Sequence, residues 1–152
     1  MNTVKYSHTN LIAMDWKRLA KFYTDVFGCE QIGPLRVLYG EKVAGGTGVE
    51  NAQLEGVHLK LPGYGSQGPT LEIFQYLETR DREMAYANSK GLTHIAFEVS
   101  DIDDICSKVI KSGGWMLGKL VSQVIEDVGI CTFVYVRDPD RNIIEIQTWD
   151  HT

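Results

Sequence analysis

Residues 7–29, SHTNLIAMDWKRLAKFYTDVFGC, and residues 93–115, THIAFEVSDIDDICSKVIKSGGW, align without a gap at a single offset of 86 positions. His8 falls on His94, Asp15 on Asp101, Leu19 on Ile105 and Gly28 on Gly114. A histidine, a helix cap and a terminating glycine recurring in one order mark an internal duplication. Each copy reads as a strand running into a helix. Asp15 and Asp101 can accept from the first free amides of their helices. Trp16, Leu19, Ala20, Tyr23, Val26 and Phe27 recur at helical spacing in the first copy, and Ile102, Ile105, Val109 and Ile110 in the second. Gly28 and the Gly113–Gly114 pair end the helices, where a left-handed residue is wanted.

Outward from these stretches, strand-like runs follow each helix. The first half has EQIGPLRVL (30–38), EGVHLKLPG (55–63) and TLEIFQYLE (70–78). The second has WMLGKLVSQVI (115–125), ICTFVYVRD (130–138) and IIEIQTW (143–149). The Gly-rich YGEKVAGGTGVENAQ (39–53) reads as a mobile loop, PGYGSQGP (62–69) as a turn, and RDPDRN (137–142) as a tight turn before the last strand. Polar residues 78–91 link the halves. The organisation is βαβββ twice, in one domain spanning 1–152 with modules at about 1–80 and 90–152.

Composition bounds the function. Apolar residues make up 43%, enough for a core, and the net charge of −5 disfavours nucleic acid or an anionic membrane as partner. No apolar run approaches the roughly 20 residues that span a bilayer, and the N-terminus has no apolar signal core. These features predict a soluble cytoplasmic protein. Cys29, Cys106 and Cys131 include no CxxC pair and read as buried free thiols.

Strand periodicity locates the chemistry. In TLEIFQY, Leu71 and Ile73 share one face, while Glu72, Phe74 and Tyr76 share the other. In IIEIQTW, Ile144 and Ile146 oppose Glu145 and Gln147. Each histidine lies in the first strand of its module and each glutamate in the last. Taken singly, any of these four is best read as an ordinary strand residue. Taken together at repeat-related positions, two imidazoles and two carboxylates have a common remedy in one divalent metal ion, of zinc, nickel, cobalt, manganese or iron.

SHTNLIAMDWKRLAKFYTDVFGCE, LEIFQY, THIAFEVSDIDDI and VYVRDPDRNIIEIQ resemble, in that order and across essentially the whole chain, the vicinal oxygen chelate superfamily. That group includes glyoxalase I, methylmalonyl-CoA epimerase, extradiol dioxygenases and antibiotic-resistance proteins. The resemblance implies an α+β fold, the glyoxalase/bleomycin-resistance/dioxygenase fold, whose paired βαβββ modules form a cup-shaped mixed sheet around one metal. It implies ligation by His8, Glu72, His94 and Glu145, and a homodimer acting on a small molecule.

The chemistry so implied is that of a lyase, isomerase or epimerase abstracting a proton beside a carbonyl, with Glu72 or Glu145 as ligand and base. His58, Asn10, Phe74, Tyr76 and Gln147 are candidates to line the pocket, His58 because Val57, Leu59 and Leu61 occupy the opposite strand face. Ile12 and Tyr76 stand where glyoxalase I places its glutathione-binding arginine and asparagine, and Glu72 where the epimerase usually has glutamine. An Fe(II) extradiol dioxygenase, which uses two histidines and one glutamate, and a non-catalytic binding or resistance protein are the rival classes.

Overall fold

The computed structural model describes residues 3–151; residues 1, 2 and 152 of the expected 1–152 span lie outside it. The chain divides into two compact units. One runs to Thr24 and continues over Gly28–Arg82; the other takes Asp25–Phe27 and everything from Glu83.

The first half of the chain follows the order β1 (His8–Ile12), α1 (Trp16–Phe27), β2 (Glu30–Tyr39), α2 (Glu41–Thr47), β3 (Gln53–Lys60) and β4 (Thr70–Tyr76), all in the first unit but for the last three residues of α1. Its sheet is ordered β1-β4-β3-β2, with β1 parallel to β4 and the other pairings antiparallel. The second unit repeats this with β5 (His94–Glu98), α3 (Ile102–Lys111), β6 (Trp115–Met116), β7 (Val121–Ile125), β8 (Gly129–Arg137) and β9 (Ile143–His151). Its order is β5-β9-β8-β6, with β7 also paired to β8 and β5 parallel to β9. This is the expected α+β architecture of two βαβββ modules.

Both helix starts are capped as predicted. Asp15 Oδ1 accepts from Arg18 N–H at 3.1 Å and Asp101 Oδ1 from Asp104 N–H at 2.9 Å. Gly28, at φ 70°, closes α1 by donating to Thr24 O. Leu19, Phe22, Tyr23 and Val26 form its buried stripe, each worth about 1.5–3 kcal/mol out of water. In α3, Ile102 and Val109 are buried, but Ile110 is 57% exposed. This corrects its placement on the apolar face: at about 100° per residue, Ile110 points well off the line through Ile102 and Val109. Cys29 and Cys131 are buried, whereas Cys106 is only half-buried on α3, so the expectation of three buried thiols holds for two.

The stretch expected to be a mobile loop contains a helix, α2. Glycines 45 and 46 weaken it by about 1 kcal/mol each. Glu41 lies in its first turn, and Gly48, at φ 70°, donates to Ala44 O. The run expected over 115–125 is two strands, because Leu117 and Gly118 both donate to the Tyr135 carbonyl and interrupt the ladder. In the first unit the matching strand, β2, shifts register between Ile32 and Arg36. Gly33 there has φ 69° and Pro34 has no N–H to give.

Each core lies on one sheet face. Val57, Leu59, Leu71 and Ile73 are buried in the first sheet, and Val134, Val136, Ile144 and Ile146 in the second. The alternation therefore turns His58, Glu72, Tyr135 and Glu145 to the other face.

Candidate functional site

In the first unit, β4 lies between β1 and β3. The register sets Asn10 opposite Glu72 across the parallel pairing and His58 opposite Glu72 across the antiparallel one. His8 is two residues before Asn10, on the same face. Glu72 Oε1 lies 3.4 Å from His8 Nδ1 and 3.2 Å from His58 Nε2. Its Oε2 accepts from Asn10 Nδ2 at 3.3 Å.

Burial holds the His58 imidazole below its ordinary value. The Glu72 carboxylate opposes this, while Arg36 and His8 push the same way as burial. Charged or not, an imidazole whose Nε2 faces a carboxylate oxygen at 3.2 Å carries a proton on that nitrogen, so His58 donates to Glu72. The His58 ring meets the edge of Phe74, centroids 5.8 Å apart. Phe74 itself is buried over Gly56, its cross-strand partner. A Cβ on Gly56 would stand 2.8 Å from Phe74 Cδ1. Phe74 thus packs and supports His58.

The second unit repeats the register. Glu145 lies opposite Ala96 on one side and opposite Tyr135 on the other. His94, two residues before Ala96, places Nε2 3.1 Å from Glu145 Oε2. Its Nδ1 is 3.3 Å from Thr93 Oγ1, which fixes the ring from behind. The Tyr135 ring lies 5.0 Å from the His94 ring. Burial, and then the Glu145 charge, push the Tyr135 phenol up. Gln147 Oε1 faces Cys131 Sγ at 3.9 Å. The Cys131 thiol is pushed up by burial, Glu145 and Glu98.

The four expected ligands are thus brought together as two pairs, His8 with Glu72 and His94 with Glu145, one in each unit. Among the described residues, no group of three or more His, Cys, Asp and Glu side chains is arranged to hold a metal ion. Within each pair the chemistry suits one. Two donors bound to a first-row divalent ion at about 2.1 Å stand roughly 3.0–3.4 Å apart, and the pairs are separated by 3.4 and 3.1 Å.

Tyr76 is four residues beyond Glu72 on β4. It lines a shallow hollow of about 180 Å³ with Val37–Tyr39, Gln53–Glu55, Gln75 and Leu77. The hollow's one carboxylate, Glu55, already accepts from Trp16 Nε1 at 2.8 Å. The turn RDPDRN is structural, as expected. Asp138 accepts from the backbone of Asp140 and Asn142, and buried Arg137 donates to the Arg141 and Ala85 carbonyls. Tyr135 was not singled out from the sequence. Its signal is the alternation in TFVYV, which puts it on the Glu145 face once β8 is paired with β9.

The family model described as Glyoxalase/Bleomycin resistance protein/Dioxygenase superfamily matches residues 5–146. Among solved structures, a glyoxalase family protein from Bacillus cereus is 19% identical at a TM-score of 0.83, over 98% of this chain and 96% of that one. A fosfomycin resistance protein from Listeria monocytogenes is 17% identical at a TM-score of 0.60, over 99% and 96%. A virulence protein from Salmonella typhimurium is 21% identical at a TM-score of 0.55, over 99% and 100%. These likenesses concern the fold. No curated protein matches the chain.

Proposed function

The chain belongs to the Glyoxalase/Bleomycin resistance protein/Dioxygenase superfamily, and from that premise we propose that it is a metal-dependent lyase, isomerase or epimerase. It removes a proton beside a carbonyl of a small substrate that offers two neighbouring oxygens. The proposed ligands of a divalent ion, of zinc, nickel, cobalt, manganese or iron, are His8, Glu72, His94 and Glu145. The observation that carries this reading is the repeated pair: an imidazole nitrogen within 3.4 Å of a carboxylate oxygen, at the same register position in both modules.

When bound, the metal supplies Lewis acidity toward the negative charge that develops as the proton leaves. The chain supplies the rest. Two carboxylates would balance a doubly charged cation, and two imidazoles would add nitrogen donors without adding charge. Glu72 or Glu145 takes the substrate proton. The second glutamate favours this chemistry over that of the extradiol dioxygenases, which use one.

The partner is a second copy of the chain. Apolar side chains left exposed along β2 and β7, among them Val37 at 56%, Tyr39 at 70% and Val124 at 73%, support a homodimer. The cytoplasm is the proposed location, where the three unpaired cysteines stay reduced. Among the described residues, no helix is long and apolar enough to cross a membrane.

The deciding experiment is metal analysis of protein purified without chelator, followed by NMR screening of 2-oxo and thioester compounds for α-proton exchange in deuterated water. Bound metal with exchange is expected. Metal with oxygen consumption on catechols would move the protein to the dioxygenases, and ligand binding without metal to the resistance proteins.

A further inference from the structure

We propose that Asn10 and His58 form a two-sided clamp that orients the Glu72 carboxylate as a metal ligand, and that they are positioning residues rather than contacts for substrate. The inference rests on the metal-site reading above.

The Glu72 side chain is only 13% exposed, so its oxygens have little water to rely on. Each finds a different donor from a different neighbouring strand. Asn10 Nδ2, from β1, reaches Oε2 at 3.3 Å. His58 Nε2, from β3, reaches Oε1 at 3.2 Å. Donors on both flanks fix the rotation of the carboxylate about its last bond. Oε2, with Asn10 as its one donor, keeps a second acceptor direction open to a cation, while Oε1 also has His8 Nδ1, the other proposed ligand of this module, 3.4 Å away. His58 is itself steadied by the edge contact with Phe74, whose place over Gly56 is set by the β3–β4 pairing.

The second module supplies an internal control. In the same register, Ala96 stands where Asn10 does and Tyr135 where His58 does. An alanine side chain donates nothing to Glu145. The second module thus builds the same strand pairing with Ala and Tyr at these positions. The presence of Asn10 and His58 around Glu72 alone distinguishes the two carboxylates: Glu72 is clamped from two strands, whereas Glu145 pairs with His94. A carboxylate ordered before the ion arrives loses less freedom on binding it, as partners outside the coordination sphere commonly provide.

The test uses the full-length chain and cobalt(II), read by calorimetric titration and by the visible absorption bands of the bound ion. The variants are N10A, H58L, H58Q and E72A, with far-UV circular dichroism as the folding control. N10A and H58L are each expected to weaken cobalt binding by about 10- to 100-fold and to alter the visible bands. H58Q, which keeps an amide donor, should recover most of the affinity. E72A should lose more than either clamp variant. Wild-type affinity in N10A and H58L, with E72A weakened, overturns the clamp and leaves the metal site standing. Cobalt binding equal in E72A and wild type, or none in wild type, removes the metal-site reading and the clamp with it. A His58 variant that fails to fold leaves N10A and H58Q to decide: the first must weaken binding and the second must retain it.

Discussion

Nε2 of His94 lies 3.1 Å from Oε2 of Glu145, across the parallel pairing of β5 and β9. A nitrogen and an oxygen at that separation can share a proton or a cation. Their roles can be split by substitution. Glu145→Gln keeps the shape and an oxygen donor but removes a negative charge and, if Glu145 rather than Glu72 takes the proton, the base. In that case it is expected to lower α-proton exchange by about 10²- to 10⁴-fold, with a smaller loss of metal affinity. His94→Ala removes a ligand, so it should lose metal and exchange together. Metal titration beside exchange rates measured at saturating metal checks the difference.

Metal removal gives a thermal prediction. An ion bound by the folded chain and not by the unfolded one stabilises it by about 2.7 kcal/mol at one hundred times its dissociation constant. Protein stripped with a chelator is expected to melt several degrees lower, and added nickel or zinc should restore the melting temperature. The increment should vanish in a Glu72→Ala, Glu145→Ala double variant, measured by calorimetry over a range of metal concentrations.

Much of this frame was legible before the fold, and the reason lies in periodicity. The recurrence of His8 at His94 and of Asp15 at Asp101 is local, and both caps form. The alternation in TLEIFQY fixed the face of Glu72, because strand geometry leaves two choices. What local pattern does not encode is which distant strand lies alongside. The contact of His58 with Glu72 depends on the β3–β4 register, and the place of Tyr135 beside His94 on that of β8 with β9. Helix α2 was hidden for another reason: two glycines lower its intrinsic propensity, and only its C-terminal end carries a cap, at Gly48.

Cys29 supplies a pH prediction. Burial pushes its thiol up to about 12 from an ordinary value of 9.0. The folded chain therefore keeps a proton that the unfolded chain gives up. Stability from this source is full below pH 9 and declines as pH rises towards 12, by about 1.4 kcal/mol per unit. Urea unfolding at pH 8 and pH 10 should show the wild type losing about 1 kcal/mol more than Cys29→Ala. Thiol labelling of the native protein at pH 8 should modify half-buried Cys106 well before Cys29.

Gly56 tests how the site face is built. An added Cβ would stand 2.0 Å from the Ile73 carbonyl oxygen and 2.7 Å from Phe74 Cα, both rigid backbone atoms of β4. Neither can swing away as a flexible side chain would, so Gly56→Ala has to push β3 off β4. The expected loss is about 3 kcal/mol, at the upper end of overpacking changes, seen as a lower midpoint in urea. Because Phe74 rests on Gly56 and supports the His58 ring, the same shift should move His58 away from Glu72. Phe74→Leu separates the two effects: it removes the ring that steadies His58 and leaves the strand pairing intact. It should therefore cost less stability than Gly56→Ala while weakening metal binding. Equal stability loss in the two variants, with metal affinity unchanged in Phe74→Leu, would show that Phe74 serves only the packing of the sheet.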